Sequence, residues 1–168
     1  MRSLWILRHA KAVAHASADH GRELSGRGLR QCEELASHLR ALPDAPDEVL
    51  CSSATRALET ARSAVAALPE GVALTVEAAL YGADADDVVG RLRLVDDDRA
   101  AVMVVGHNPT LLELLLLLLD PGDTAGSRRL ADGLPTCALA VVDLDVAAWD
   151  RLAAGTGRLR SFFVAAAR

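Results

Sequence analysis

The composition of the 168-residue chain excludes several classes of protein before any motif is considered. With 51% hydrophobic residues, the chain is expected to form a single domain over residues 1–168, with a sizeable core and no long disordered stretch. Its formal net charge of -5 and its 3% aromatic content argue against a nucleic-acid partner, so a phosphate site would have to be a local positive pocket.

The first predicted element is a short buried strand over residues 3–7, which a charged pair ends abruptly. Arg8 and His9 follow it directly, at the position where ligands bind in an open α/β sheet. Taken alone, the pair is better explained by a strand that leaves the core for water, but the same arrangement recurs further along the chain. Residues 11–23 show no hydrophobic periodicity and are predicted to form a loop over this strand end. From this loop, the guanidinium of Arg22 can reach an anion bound beside Arg8 and His9.

The second strand and the helix after it repeat this arrangement. Before them, Ser25 is predicted to cap a helix that ends near residue 42. Residues 48–51 form the strand, and a helix begins at residue 54. Arg56 therefore lies in the first turn of a helix, where the backbone dipole disfavours a cation unless an anion is bound as well.

A third junction of strand and helix contains His107. The strand before it, residues 101–105, is the most convincing buried strand in the chain. Gly106 permits a tight turn after it, Asn108 can cap the next helix, and Pro109 suits the first position of that helix. His107 is thus held at the same kind of place as His9 and Arg56.

The remaining elements complete an alternation of strands and helices. A strand over residues 72–76 and a helix capped by Asp84 precede the third junction, and a loop over 121–132 follows its helix. Residues 137–144 and 158–165 are predicted to form an antiparallel hairpin at the edge of the sheet. This order predicts an α/β fold, a three-layer α/β/α sandwich around a mostly parallel sheet with an antiparallel edge.

Cysteine usage and apolar runs concern the compartment of the protein. Cys32, Cys51 and Cys137 are an odd number without CxxC spacing, so they are predicted to be buried reduced thiols, in keeping with the cytoplasm. No signal peptide is visible, and the apolar run over 111–119 is well short of the roughly 20 residues that cross a membrane, so no membrane partner is expected. The aspartates at 96–98 are interpreted as a solvated turn rather than a metal site.

The three junctions together predict one cationic cleft. The side chains that they bring to the same edge of the sheet are Arg8, His9, Arg56 and His107. Two arginines, two histidines and two helix N-termini suit a dianion such as phosphate. A neutral His9 could attack phosphorus and form a phosphohistidine that water hydrolyses, while the arginines and a protonated His107 stabilise the equatorial oxygens. A zinc site on the two histidines is disfavoured, because the arginines would repel the dication.

Three motifs in this order resemble those of the histidine phosphatase (phosphoglycerate mutase-like) superfamily. They are Leu7-Arg8-His9-Ala10, Ser52-Ser53-Ala54-Thr55-Arg56-Ala57-Leu58-Glu59-Thr60-Ala61 and Val105-Gly106-His107-Asn108-Pro109. Ala10 stands where the superfamily often has Gly. The short length and the segment Arg22-Glu23-Leu24-Ser25-Gly26-Arg27-Gly28 are most similar to the SixA-type phosphohistidine phosphatase branch. The resemblance implies a phosphoglycerate mutase-like fold, His9 as nucleophile, a phosphate pocket of Arg8, Arg56 and His107, and neither metal nor organic cofactor.

The general acid is the part of the family pattern that the chain matches least. Many relatives carry it after the third strand, where this chain offers only Glu77, which is equally explained as a solvated carboxylate at a strand end. A phosphoramidate nitrogen is more basic than an alcohol and needs less help to leave. The expected catalytic set therefore includes Glu77, and the expected substrate-binding set adds Arg22 and Asn108 to the phosphate pocket.

The substrate class is suggested by what the chain lacks. Residues 69–100 hold one strand and one helix, which leaves no material for a lid, and an open site suits a phosphorylated protein side chain. We therefore expect a phosphatase that acts on phosphohistidine of a signalling protein, such as a histidine phosphotransfer domain. A phosphomonoesterase on a small phosphorylated metabolite and a non-catalytic phosphate-binding module remain the alternatives.

Overall fold

A six-stranded mixed sheet runs through the middle of the molecule, which a computed structural model describes over residues 1–167. The strands are β1 (Arg2–Arg8), β2 (Glu48–Ser52), β3 (Ala73–Glu77), β4 (Ala101–Gly106), β5 (Ala138–Leu144) and β6 (Gly157–Val164). Their spatial order is β3-β2-β4-β1-β5-β6. The first four are parallel, while β5 is antiparallel to both β1 and β6. The predicted parallel sheet with an antiparallel edge is confirmed.

Helices cover both faces of the sheet. Two of them, α1 (Gly26–Ala41) and α2 (Thr55–Ala67), pack with Trp5 and Leu7 of β1, whereas Leu4 and Ile6 point to the opposite face. That face is covered by α3 (Ala85–Leu92) and α4 (Thr110–Leu118). Because successive side chains of a strand alternate between faces, a strand buried on both sides reads as the continuous apolar run seen in the sequence. The three-layer arrangement is confirmed.

The predicted helix caps are present at two of three positions. The Ser25 hydroxyl accepts a hydrogen bond from the Gly28 N–H (3.1 Å), and Asp84 forms a reciprocal capping box with Asp87. The prediction that Asn108 caps α4 is wrong, since the helix begins at Thr110 with Pro109 in the capping position. The Asn108 Nδ2 instead donates to the Leu134 carbonyl, and its Oδ1, the atom that would cap the helix, accepts no hydrogen bond from residues 1–167.

The loop predicted over residues 121–132 is the second correction. It contains a short helix, α5 (Thr124–Arg129). Asp123 caps this helix by accepting a hydrogen bond from the Gly126 N–H (2.9 Å), and its second oxygen accepts from the Leu159 N–H (2.9 Å). The capping aspartate is a signal that the sequence carries but that the surrounding glycines and charges concealed.

The carboxyl ends of β1, β2 and β4 lie side by side, and this edge of the sheet carries the predicted site. In the parallel registers, Arg8 is opposite Gly106, and Cys51 is opposite Val105. The three cysteines are free and buried, as predicted, although Cys137 precedes β5 rather than belonging to it. No helix within residues 1–167 is long and apolar enough to cross a membrane.

Candidate active site

Arg8 and His9 lie at the carboxyl end of β1, where backbone hydrogen bonds hold them from both neighbouring strands. The His9 N–H donates to the Gly106 carbonyl at the end of β4 (3.1 Å). From the other side, the Cys137 N–H donates to the carbonyls of Arg8 (3.1 Å) and His9 (3.0 Å). The position of the histidine is therefore set by the sheet itself and not by long side chains.

The hydrogen bonds of the His9 ring define its protonation. Nδ1 lies 2.7 Å from the Ala10 carbonyl oxygen, which can only accept, so Nδ1 carries the proton. Nε2 faces the Nε–H of Arg56 at 3.3 Å and accepts from it. Burial is the main cause that lowers the pKa of His9 to about 3, and the positive charges of Arg56 and Arg8 contribute to the same shift. At neutral pH the ring is a neutral imidazole with its lone pair on Nε2.

Arg56 lies in the first turn of α2, where its side chain is 7% exposed. Besides the bond to His9, its Nη1 donates to the Asp19 backbone carbonyl (2.9 Å), and its Nη2 donates to Asp19 Oδ2 (3.2 Å). Thr60, one turn along the helix, donates to the Arg56 carbonyl (2.7 Å) and accepts from the Ala10 N–H (3.0 Å). These bonds connect the start of α2 directly to the segment around the histidine.

His107 completes the group of four on which the sequence prediction depended. Its ring centroid is 5.2 Å from that of His9, and its Nε2 lies 2.8 Å from the Ser52 hydroxyl. Burial lowers the pKa of His107 to about 4, and the charge of Arg56 lowers it as well. At neutral pH the buried ring is therefore neutral among these cations, and its protonation during phosphoryl transfer stays a prediction.

The cleft around these side chains has a volume of about 210 Å³. Its lining consists of Arg8, His9, Lys11, Ala12, Arg22, Arg56, His107, Asn108 and Thr136. Arg8 Nη1 donates to the Leu134 carbonyl (2.9 Å), but Arg8 Nε and His107 Nδ1 are buried without a hydrogen-bond partner in the described chain. Buried polar atoms of this kind are normally satisfied, so an arginine donor and an imidazole nitrogen left over at the cleft favour a ligand there.

Arg22 and Asn108, the other two predicted binding residues, also line the cleft, and each forms different hydrogen bonds. Arg22 donates to the Val13 carbonyl (3.0 Å) and to Asp19 Oδ1 (3.0 Å). The Asn108 amide donates to the Leu134 carbonyl (2.9 Å), while its Oδ1 is buried without a partner in residues 1–167. Both residues are thus brought to the cleft, and a role of either in substrate binding stays a prediction.

Glu77, the candidate general acid, is not among the residues that line the cleft. It ends β3, the edge strand, and its carboxylate is bound by Arg91 of α3, with Nε at 2.7 and 2.9 Å from its two oxygens and Nη2 at 2.6 Å. Glu77 lies away from the cleft because Arg91, on the helix that follows β3, forms an ion pair with its carboxylate. A proton donor has to reach the leaving group, and the structure does not bring Glu77 to that place.

Sequence reasoning missed several residues that support the cleft. The sequence predicts only a polar loop around Asp19. In the structure, the Asp19 carboxylate accepts hydrogen bonds from Arg22 and Arg56 of the cleft and from the Tyr81 hydroxyl (2.5 Å). Gln31 is buried on α1, where its Oε1 accepts from the Lys11 N–H (2.8 Å) and its Nε2 donates to Thr136 Oγ1 (3.2 Å). A polar residue on the buried face of an amphipathic helix was the available signal for Gln31.

Comparisons with known proteins agree with this geometry. The family model of the histidine phosphatase superfamily (branch 1) matches residues 4–93. An uncharacterized protein of Mycobacterium tuberculosis (strain H37Rv) is 35% identical over 161 residues, which are 94% of this chain and 99% of that protein. The chain belongs to the histidine phosphatase superfamily. The match contains Arg8, His9 and Arg56, while His107 lies beyond it.

Solved structures define the branch of the histidine phosphatase superfamily. A Nakamurella multipartitia protein provisionally assigned as phosphohistidine phosphatase SixA is 28% identical, with a TM-score of 0.78 over 99% of this chain and 97% of that one. The protein histidine phosphatase SixA in complex with tungstate is 26% identical, with a TM-score of 0.77 over 96% of each chain. The protein is therefore a phosphatase of the SixA type with a phosphoglycerate mutase-like fold.

Histidine is a common metal ligand, and the cleft contains His9 and His107. Within residues 1–167, no group of three or more His, Cys, Asp or Glu side chains could hold a metal ion. His9 and His107 lie together, but the nearest charged neighbours are arginines, which repel a cation.

Proposed function

We propose that this histidine phosphatase hydrolyses phosphohistidine on a protein through a covalent intermediate on Nε2 of His9. The observation that carries the proposal is the state of that ring. Its Nδ1 proton is bound to the Ala10 carbonyl, so the lone pair on Nε2 is available, and the pKa of about 3 keeps the ring neutral. A neutral imidazole held in one tautomer is the form that attacks phosphorus.

The reaction consists of two displacements at phosphorus. In the first, the Nε2 lone pair forms a P–N bond while the P–N bond to the substrate imidazole breaks, and that imidazole takes a proton from water. In the second, a water oxygen attacks the phosphoryl group of phospho-His9 and gives a proton to the hydroxide that the first step leaves, while the P–Nε2 bond breaks and inorganic phosphate departs. Nε2 regains its lone pair and again accepts from Arg56 Nε (3.3 Å in the resting state).

The cations of the cleft stabilise the charge that the phosphoryl group carries through both steps. Arg56 Nε donates to Nε2 at rest, and this donor becomes free for a phosphoryl oxygen once Nε2 is bonded to phosphorus. Arg8 Nε and His107 Nδ1 have no partner in residues 1–167, and we assign them to the other oxygens. Phosphoryl transfer depends mostly on such placed charges and donors.

The leaving group follows from the absence of an acid at the cleft. No aspartate or glutamate is among the lining residues, and Glu77 is bound by Arg91. A stable alkyl phosphate needs a proton delivered to its oxygen, whereas an imidazole nitrogen leaves more readily. Phosphohistidine therefore fits the cleft better than a sugar phosphate does.

The shape of the cleft favours a protein substrate. Its volume of about 210 Å³ is below the roughly 300–1,000 Å³ of pockets that enclose small molecules. The similar SixA structure that binds tungstate supports a tetrahedral oxyanion as the ligand here. We propose that residues 1–168 act as one domain in the cytoplasm, on a partner such as a histidine phosphotransfer domain.

The proposal is tested by comparing donors in a rapid-quench experiment. Wild-type enzyme is mixed with a carrier protein labelled with phosphohistidine, and in parallel with p-nitrophenyl phosphate and a sugar phosphate. His9→Ala is the test variant, and His15→Ala, at an exposed histidine of the loop, is the matched control. We expect a phosphoenzyme that is labile to acid and stable to alkali in wild type and His15→Ala, absent in His9→Ala, and formed fastest from the carrier protein.

Two results would contradict parts of the proposal. Faster transfer from the sugar phosphate than from the carrier would make the enzyme a phosphomonoesterase for small metabolites. Binding of phosphate without an adduct or release from any donor would leave a phosphate-binding module in place of an enzyme.

A further inference from the structure

We propose that Asp19 is a positioning residue: its carboxylate, anchored by the Tyr81 phenol, holds the guanidinium of Arg56 in the orientation that serves His9. This inference rests on the proposed function, because it assumes that Arg56 acts at the phosphoryl group. It adds two residues that lie outside the lining of the cleft.

The contacts of Arg56 carry the first part of the argument. The guanidinium is nearly buried, and both of its terminal nitrogens are used by Asp19, one by the backbone carbonyl (2.9 Å) and one by Oδ2 (3.2 Å). These two bonds leave Nε as the donor that faces His9 Nε2. A buried arginine has five donors in a rigid fork, so fixing two of them fixes the direction of the third.

The second oxygen of the same carboxylate contacts another arginine of the cleft. Arg22 Nε donates to Asp19 Oδ1 at 3.0 Å, while Oδ2 is shared by Arg56 and Tyr81. Each oxygen therefore holds a different lining cation. Asp19 is itself 53% exposed at its side chain, so the arrangement depends on its partners and not on burial.

Tyr81 anchors the carboxylate from a different part of the chain. It follows the short 3₁₀ turn after β3, and its hydroxyl donates to Asp19 Oδ2 at 2.5 Å. His20, next to Asp19, lies edge-on to the Tyr81 ring with centroids 4.8 Å apart and contacts the Ser53 hydroxyl at 2.9 Å. The loop that carries Asp19 is thus fastened on two sides.

The charge state of the anchor agrees with this role. The hydrogen bond from Tyr81 lowers the pKa of Asp19 far below its ordinary value, and the bonds from Arg22 and Arg56 act in the same direction. The same bond raises the pKa of Tyr81. At neutral pH the pair is a carboxylate that accepts and a phenol that donates, which excludes Asp19 as a proton donor to the leaving group.

Two possible roles of Asp19, offsetting positive charge and orienting Arg56, predict different behaviour for a variant without the negative charge. If Asp19 acted only by offsetting positive charge, Asp19→Asn would strengthen the binding of an oxyanion and leave turnover unchanged. If Asp19 orients Arg56, the chemical step slows, because Nε no longer faces Nε2 in a fixed direction. We expect kcat to fall about tenfold with less than about threefold change in the Kd for tungstate.

The experiment compares four proteins with wild type. They are Asp19→Asn, Tyr81→Phe, the double variant, and Asp150→Asn as the matched control. Asp150 is 66% exposed and also pairs with an arginine, Arg151, but its neighbour Trp149 donates to the Arg99 carbonyl just before β4, at the end of the sheet opposite the cleft. The readouts are steady-state kcat with p-nitrophenyl phosphate, tungstate affinity by calorimetry, and the ¹⁵N NMR signal of Arg56 Nε–H in the resting enzyme.

Wild type and Asp150→Asn should show a protected Arg56 Nε–H signal and equal kcat. Asp19→Asn should lose the protection and about 90% of kcat, Tyr81→Phe should lose less, and the double variant should match Asp19→Asn because Tyr81 acts through Asp19. The proposal is overturned if Arg56 Nε–H stays protected in Asp19→Asn, or if kcat stays within twofold. Should Asp19→Asn not fold, Tyr81→Phe decides by the same two readouts.

The NMR readout also separates this inference from the proposed function. It is recorded without substrate, so it reports on Arg56 even if no donor ever forms a phosphoenzyme. Loss of protection with no turnover in wild type would refute the proposed reaction and retain the positioning role.

Discussion

The floor and the rim of the cleft are built by different means. The floor, defined as Arg8, His9, Arg56 and His107, is fixed mainly by strand ends, a helix start and backbone hydrogen bonds. The rim, defined as Asp19, Arg22 and Tyr81, is fixed by side-chain pairs at partly exposed positions. The backbone of the sheet therefore positions the nucleophile, whereas the direction of the arginine side chains depends on a few side chains that can be substituted.

Changing the cation of the floor should have the largest effect on turnover. In Arg56→Lys, a single ammonium cannot contact His9, the Asp19 backbone carbonyl and Asp19 Oδ2 together, so we expect kcat to fall by about 10² to 10³. The matched control is Arg62→Lys, at an exposed arginine of the same helix, which should keep wild-type turnover. Steady-state kinetics with p-nitrophenyl phosphate give the answer, and a decrease of less than threefold would remove Arg56 from the floor.

The start of the loop over residues 11–23 packs closely against α1 at Gly28, so a larger residue at position 28 should disrupt this contact. A Cβ there would lie 2.1 Å from the Lys11 carbonyl oxygen, so Gly28→Ala should lower the free energy of unfolding by about 2–4 kcal/mol. Gly90→Ala on α3 meets nothing within 4 Å and should raise it by about 0.5–1 kcal/mol. Urea denaturation measures both, and equal stability of the two variants would show that the close approach is not tight.

The buried histidines of the floor should make stability depend on pH. His107 has a pKa of about 4 when folded and 6.5 as an ordinary histidine, so between these values the unfolded chain binds more protons. Stability is complete above about pH 6.5 and is lost as the pH falls toward 4, at up to about 1.4 kcal/mol per pH unit for each such histidine. Denaturation in urea from pH 7 to 4.5 should therefore show a shallower dependence in His107→Asn than in wild type. An unchanged slope would contradict the neutral ring.

The smallest effect is expected at Glu77, the carboxylate that the rim does not use. Because Arg91 binds it and it does not line the cleft, Glu77→Gln should change kcat on a phosphohistidine donor by less than about twofold. Asp19→Asn, tested beside it, should have the larger effect. A loss of tenfold or more in Glu77→Gln would instead support Glu77 as the general acid.

The floor could be predicted from the sequence because each of its residues marks a junction. His9 and His107 follow apolar runs that are typical of central strands, and Arg56 lies in the first turn of the helix after a third such run. Parallel strands bring these ends together. The protonation of His107 could not be predicted, because its pKa depends on burial and on the arginines that the fold collects around it.

The rim could not be predicted for a different reason. Asp19 lies in a segment without period, and its partner Tyr81 is 62 positions away in sequence, so no local pattern connects them. The prediction that Glu77 lies at the cleft is wrong for a different reason. Its position at the end of a strand suggested the cleft, but β3 is the edge strand and Arg91 binds the carboxylate there. Side-chain pairing over such distances is a tertiary property.

The central claim is that Nε2 of His9 is the atom that receives the phosphoryl group. The most direct test is ³¹P and ¹⁵N NMR of the phosphoenzyme, prepared with ¹⁵N-histidine and trapped by rapid quench and alkali. The bond from Nδ1 to the Ala10 carbonyl predicts coupling of phosphorus to Nε2 of a single histidine, lost in His9→Ala. Coupling to Nδ1, or a phosphohistidine at another position, would contradict the account.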